Sequence, residues 1–464
     1  MNARSAFPGT PAGAELLVLA PCLPRPDGDA VSLRWYHLLR FLARHFRVHL
    51  GCSADLLRDG AQFSRVRALC HETCFVAPPG IGRSMRLGGM RLGAMRLGAM
   101  RMDPALQSWA TRLCARRPVG AVLACGARMG ACLAALPPGL VRMVDFVELE
   151  SDRQRRRGAV RPWPGAVLWR RQAQRLLAIE RCAGAACDHA LFAVPADVAR
   201  FRLFAPESAH KAQLLASGVD PEHYSPHILQ RSPYRPGERV LLLAGPLHGD
   251  AAADAARWLA AEVFAPLRAA DPSLSLYLVD ASAHARRHPS LGILARRAGV
   301  AVVGGQGAAF DLRPYLAHAA LVLAPPTGGH AAGMAVLAAM AMQKPVLGLP
   351  RSLSGLACLR LPEALAAADA PGFRERIGAI LAQPGASPGT GRGVRLDIGR
   401  GIGPDFGLGI GSNTGPEAAE ASEVGRAARA RVLREHDWNL RLAGLPALLA
   451  AACPSHAQPL ASAG

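Results

Sequence analysis

Short apolar runs alternate with amphipathic or Pro/Gly-rich stretches along the whole chain. ELLVLA (15–20) reads as a strand, followed by the loop CLPRPDGDAV and a helix over 32–46 whose apolar positions 35, 38, 39, 42 and 46 form one stripe. RVHLGCS (47–53) is the second strand, and 63–79 holds a helix followed by a third. This β–loop–α–β–α–β order predicts a parallel, doubly wound sheet with its ligand crevice at the C-terminal ends of the strands, beside loop 21–31. Further strands fall at 121–127 and 141–148, with a strand, turn and helix over 189–207. After a strand and a Pro-bounded turn (213–226), the pattern starts again with strands at 239–246, 274–282, 300–304 and 321–326. Helices are predicted over 251–269, 286–298 and 311–318, and helices over 418–434 and 436–452 close the chain. The predicted fold class is α/β, with two Rossmann-like, doubly wound domains facing a cleft. The first spans 14–220 and the second 221–452, with tails at 1–13 and 453–464.

The stretch from Leu321 to Leu349 compresses this logic: a buried strand, a Pro-Pro-Thr-Gly-Gly loop, a small-residue helix and a second short strand. Unpaired N–H groups and the positive end of the helix dipole at such a junction suit a diphosphate. The same pattern also serves as an ordinary βαβ unit of any α/β core.

Composition narrows the partners. The 464 residues carry a formal charge of +20, with Lys211 and Lys344 the only lysines. A basic surface favours anionic partners such as nucleotide sugars or anionic headgroups, and no nucleic-acid-binding module accompanies it, so nucleic acid is not expected. Eleven cysteines lie scattered without metal-ligand spacing, which points to reduced thiols in a cytoplasmic protein and to no metal. The run LLVLA is short, preceded by Glu15 and followed by Pro21, and reads as a strand rather than a signal peptide. Two prolines and two glycines interrupt the uncharged span 314–343, against a membrane helix.

Three segments stand outside the pattern. Residues 85–102 repeat MRLGG-MRLGA-MRLGA-MRM, which is either a basic, Met-bearing surface or an expanded codon repeat in a tolerant loop. Between 153 and 175 there are eight arginines and no acid, with Trp163 and Trp169 among them. That composition suits peripheral contact with an anionic membrane surface, and equally a solvated helix face with two anchoring tryptophans. Residues 385–417 are Gly-rich and read as a flexible insertion; no strand leads into them and no lysine follows, against a phosphate cradle.

Several segments together resemble the GT-B glycosyltransferases of the retaining "glycosyl transferases group one" family, closest to the branch associated with PEP-CTERM/exosortase exopolysaccharide loci. They are the PxPxxG-like loop 24–28 with RWYHLLRFLA, VDFVELES (144–151), WRRQAQRLLAIER (169–181), SGVDPEHYSP (217–226), DLRPYLAHAALVLAP (311–325), VLAAMAMQKPV (336–346) and ARARVLREHDW (428–438), in family order. The resemblance implies transfer of a sugar from a nucleotide-sugar donor, bound by the second domain, to a glycan or lipid-linked acceptor at the first. It implies no metal or other cofactor; the cysteine usage and the basic segment 153–175 add the expectation of a cytoplasmic protein, peripheral at the inner membrane.

The same comparison assigns candidate residues. Asp145, Glu148 and Glu150 stand where an acid would orient or deprotonate an acceptor hydroxyl, with Gly28, Arg34 and His37 on the acceptor side. Gly245, Arg313, Thr327, Gly328, Gly329 and His330 are the donor-side candidates. Three departures weigh against turnover: the family's ribose-binding acid falls on Ala338, its lysine on Ala335, and the Arg-Gly of the preceding loop on His330-Ala331. Loss of such charged hydrogen bonds removes about 1.5–3 kcal/mol each. The competing expectation is therefore a degenerate, non-catalytic binding or scaffold protein of the same fold.

Overall fold

The computed structural model describes residues 14–78, 86–87, 90–91, 102–159, 163–228, 231–245, 247, 250–280, 289–304, 310–324, 329–353, 366–381 and 416–450. The chain divides into two compact units: Met1–Gly218 with Trp438–Gly464, and Val219–Asp437.

In chain order the strands of the first unit are β1 (Glu15–Ala20), β2 (Arg47–Ser53), β3 (Glu72–Val76), the two-residue pair β4 (Arg86–Leu87) and β5 (Met90–Arg91), β6 (Val119–Cys125), β7 (Val141–Val147), β8 (His189–Phe192) and β9 (Ala212–Leu214). Seven of them form one sheet in the order β3-β2-β1-β6-β7-β8-β9, every neighbouring pair parallel. β1 is buried along its whole length because helices cover both faces, which is why it reads as an unbroken apolar run. β4 and β5 pair antiparallel with each other inside the Met-Arg repeat. The strand order reverses between β1 and β6, so the crevice of this sheet lies over the loops that follow those two strands.

The second unit contributes β10 (Arg239–Ala244), β11 (Leu274–Asp280), β12 (Val300–Gly304), β13 (Leu321–Leu323) and β14 (Val346–Leu347). They form a parallel sheet ordered β12-β11-β10-β13-β14. Along β10 the side chains alternate between two cores. Leu241 and Leu243 join Phe264 and Phe373 on one face, while Val240, Leu242 and Ala244 join Val336, Leu337 and Met340 of the helix His330–Ala341 on the other. The switch point here lies between β10 and β13, and the stretch 321–349 is the arm that follows it.

Two expectations change. The helix expected from 63 begins at Leu56 and ends at Arg67, before β3. More consequentially, 438–452, expected in the second domain, returns to the first unit. Trp438 stacks on His37 with ring centroids 5.0 Å apart and Arg44 Nη1 donates to Asn439 Oδ1 at 2.9 Å. A buried indole 401 positions away in sequence leaves no local trace in the hydropathy pattern. The chain enters and leaves the second unit side by side, with Val219 N donating to His436 O at 2.7 Å. The expected tails 1–13 and 453–464 and most of 385–417 lie outside the described residues.

Candidate functional site

In the first unit the loop after β1 is built by short polar contacts. Asp29 caps the helix Ala30–Leu42 by accepting from Ser32 N at 2.8 Å, and Ser32 Oγ accepts from Arg25 N at 3.1 Å. Gly28 is required by that closeness, because a Cβ there would lie 2.7 Å from Ser32 Cβ. Arg25 pairs with Asp59 at 3.0 Å and Gln62 Nε2 donates to Asp27 at 3.3 Å, which ties the loop to the helix Leu56–Arg67.

Beneath this loop lies a fully buried ion pair. Arg34 donates through Nε and Nη2 to both oxygens of Asp145 at 2.8–3.2 Å, and through Nη1 to Ser217 Oγ at 3.0 Å. Trp35 Nε1 donates to the same carboxylate at 3.1 Å, and Arg34 and Asp145 are both 0 % exposed. Asp145 was a candidate base, but its oxygens are occupied and sealed from solvent. It acts here as a fixed anion that positions helix Ala30–Leu42 on β7. Arg34 is likewise committed to the interior, and His37 is held under Trp438 rather than presented on an open face.

Beyond Asp145 the backbone of β7 is strained. Val147 has φ 66°, and Glu148 N donates to Phe146 O at 2.8 Å across it, a γ-turn that a β-branched residue adopts rarely. The pairing of β7 with β8 shifts register at the same point. Glu148, just past the turn, is partly exposed and pairs with Arg153. Glu150 opens the helix Glu150–Ala159 and is also partly exposed. These two are the carboxylates of the run that retain access to solvent. Strain of this kind persists only where surrounding structure enforces it, and it gathers at functional sites.

One enforcing contact was not anticipated. Glu180, 1 % exposed on the helix Gly165–Ala186, accepts from Ser151 N at 3.0 Å and from Ser151 Oγ, and so caps the helix that starts beside Glu148. Burial pushes its carboxyl up to about 7 from 4.5, against the Ser151 bonds that favour the charged form. A raised folded-state pKa contributes stability that is complete below the ordinary carboxylate range and is lost as pH rises through about 7. Thermal melts between pH 5 and 8 should therefore show the wild type losing about 1–3 kcal/mol relative to Glu180→Gln as pH rises. Parallel profiles would contradict the assignment.

In the second unit, Gly245 closes β10 with φ 146° and its N–H donates to Val279 O at 3.1 Å. Asp280, 3 % exposed at the end of β11, accepts from Leu247 N at 2.9 Å and so anchors Leu247 just past β10. Asp280 was missed from sequence; its signal was a lone acid ending an apolar strand. Across the switch point Gly329, with φ 91° and open space around its Cα, precedes the helix His330–Ala341, whose first turn has no side-chain cap and no acid. His330 is buried, and Thr327 and Gly328 lie outside the described residues. Arg313 is engaged by Asp311, donating Nε and Nη2 to its carboxylate at 2.7–3.0 Å. It begins the helix Arg313–His318 and stands as half of an ion pair rather than as an open cation.

Helix His330–Ala341 is buried nearly all round, but its faces differ. Ala331 is half-buried, Met334 and Ala335 are 8 % exposed and Ala338 4 %, against 0–2 % for Val336, Leu337, Ala339, Met340 and Ala341. Positions 331, 334, 335 and 338 share one face by helical spacing. Ala335 and Ala338 therefore lie together on the least covered side of the helix. Among the described residues no group of three or more His, Cys, Asp or Glu side chains is arranged to hold a metal ion.

Comparison with known proteins agrees with this architecture. Residues 238–383 match the sequence model of the family Glycosyl transferases group 1. No curated protein sequence matches the chain. Among solved structures it is similar to sucrose-phosphate synthase from Thermosynechococcus elongatus, with TM-score 0.60 and 14 % identity over 94 % of this chain and 98 % of that one. It is similar also to Anabaena HepE in complex with UDP and glucose, with TM-score 0.58 and 12 % identity over 94 % and 100 % of the two chains. A third is WaaG, a glycosyltransferase involved in lipopolysaccharide biosynthesis, with TM-score 0.57 and 14 % identity over 95 % and 100 %. The chain has the fold of the GT-B glycosyltransferases, and its second unit carries the glycosyl transferases group 1 match.

Proposed function

We propose that the protein is a glycosyltransferase that moves a sugar from a nucleotide-sugar donor to a glycan or lipid-linked acceptor in exopolysaccharide or cell-envelope assembly. The observation that carries this reading is the uncapped N-terminus of helix His330–Ala341 at the switch point of the unit that matches group 1 glycosyl transferases. The backbone N–H groups and positive dipole end of such a helix start suit the leaving diphosphate, whose charge grows as the bond to the anomeric carbon breaks. The flexible turns at Gly245 and Gly329 let backbone approach that group. In the acceptor half of the reaction the hydroxyl oxygen bonds the anomeric carbon and its proton passes to a carboxylate, for which Glu148 and Glu150 are the accessible candidates. UDP-glucose is the first donor to test, by analogy with the bound groups of HepE. Retention at the anomeric centre and the exosortase association rest on the resemblance of the motifs.

A second reading has its own support. Ala335 and Ala338 leave the donor face of the helix without charge, and Arg313 is already paired. A binding protein of this fold would take up the donor and not turn it over. Release of nucleoside diphosphate from a panel of UDP-, GDP- and dTDP-sugars, with membrane extract as acceptor, separates the two: release supports transfer, and saturable binding without release supports the binding protein. Ala338→Glu supplies a further test. A carboxylate at this covered position should lower the melting temperature of the free protein, and the nucleotide sugar should raise it by more than in wild type, with donor affinity gaining about tenfold from one charged hydrogen bond. An unchanged ligand shift would remove Ala338 from the donor face.

A further inference from the structure

The helices Glu150–Ala159 and Gly165–Ala186 pack side by side as a pair that leaves the C-terminal end of β7. At the turn between them Trp163 is 81 % exposed, more than any other large apolar side chain among the described residues. One helical turn further on, Leu168 is 48 % exposed. Leu168, Arg171 and Arg175 are spaced i, i+3 and i+7 and lie along one exposed line of the longer helix, with exposed Arg170 on its flank. Nearer β7, Arg155 and Arg156 are held by the buried carboxylate of Asp152. Among the described residues Arg170, Arg171 and Arg175 have no such partner, and the sequence between Asp152 and Glu180 contains no acid.

We propose that this tip docks on an anionic lipid bilayer. A bare indole and a leucine set among unpaired guanidinium groups combine the two attractions of a membrane interface. The ring and the leucine enter the headgroup boundary, and the arginines meet lipid phosphates at their own depth. Guanidinium groups alone would suit any polyanion; the exposed apolar pair is what favours lipid. No helix among the described residues is long and apolar enough to cross a membrane, so the contact is made from one side. The helix Glu150–Ala159, which follows β7 in the chain, has ten residues and spans about 15 Å. The docking does not depend on whether the donor is turned over, so this inference and the transferase reading can fail separately.

The test is co-sedimentation with vesicles of phosphatidylcholine containing about one-third phosphatidylglycerol, against phosphatidylcholine alone. The wild type should bind only the anionic vesicles, and added salt should release it. Arg171→Gln with Arg175→Gln should weaken binding about 25-fold, at roughly fivefold for each arginine. Trp163→Ala should weaken it about tenfold, and both variants should melt as the wild type does because the positions are exposed. Brominated lipid should quench part of the tryptophan fluorescence of the wild type and less of it in Trp163→Phe. The proposal is overturned if the wild type ignores anionic vesicles, if the variants bind undiminished, or if Trp163→Phe leaves the quenching unchanged. Tighter retention on poly(U) RNA than on vesicles would also overturn it and assign the surface to nucleic acid.

Discussion

Arg34→Met is expected to remove about 3–5 kcal/mol of stability from the first unit, because it leaves Asp145 charged, buried and short of the three hydrogen bonds donated by Arg34 Nε and Nη2. Asp145→Leu should do comparable damage by stranding the guanidinium. The double variant should lose much less than the sum, since two apolar side chains that pack together carry no uncompensated charge. Urea unfolding of the four proteins gives the coupling directly. If Arg34→Met costs under about 1 kcal/mol, the pair does not organise this unit. The prediction reaches the site, because β7 delivers Glu148 immediately after the strained turn at Val147. Loosening Asp145 should relax that turn first.

Gly425→Val is expected to be the most damaging single change in the second unit. Even a Cβ at position 425 would lie 2.3 Å from Gln343 O, a backbone atom that no rotamer change can move. Helix Pro416–Glu435 would have to separate from the end of helix His330–Ala341. It also carries Arg429, which donates to Ala341 O, to Tyr224 O at 3.0 Å and to Pro221 O at 3.4 Å. Overpacking of this kind usually costs about 1–3 kcal/mol, and loss of the Arg429 bonds would take the total to about 3–5 kcal/mol. Thermal melts should place Gly425→Ala between the wild type and Gly425→Val. Equal melting of all three would mean that the two helices do not meet as described.

The parts of this molecule that were legible in sequence are those set by local burial. β1 and β10 could be found because both faces of each strand are covered, which writes a continuous apolar run. The two doubly wound sheets followed from the alternation of such runs with amphipathic stretches. What escaped depends on contacts between distant positions. Arg34 and Asp145 are 111 residues apart, and nothing near either shows that they neutralise each other. The stacking of Trp438 on His37 reassigned the end of the chain for the same reason. Val147 gave no warning, since glycine or asparagine is the usual mark of positive φ. Nothing in the sequence around Glu180 marks its burial against Ser151, 29 positions away.

The central claim is that the switch point of the second unit, between Gly245 and helix His330–Ala341, holds a nucleotide-sugar diphosphate. Thermal melting of the full chain with UDP-, GDP- and dTDP-sugars tests it most directly. A ligand at a hundredfold excess over its Kd adds about 2.7 kcal/mol to the folded state, which at this unit's size corresponds to roughly 5–10 °C. One nucleotide sugar should produce a saturable shift of that order, and Gly329→Val, which places a branched side chain at φ 91°, should abolish it. No shift from any of them at millimolar concentration would contradict the claim.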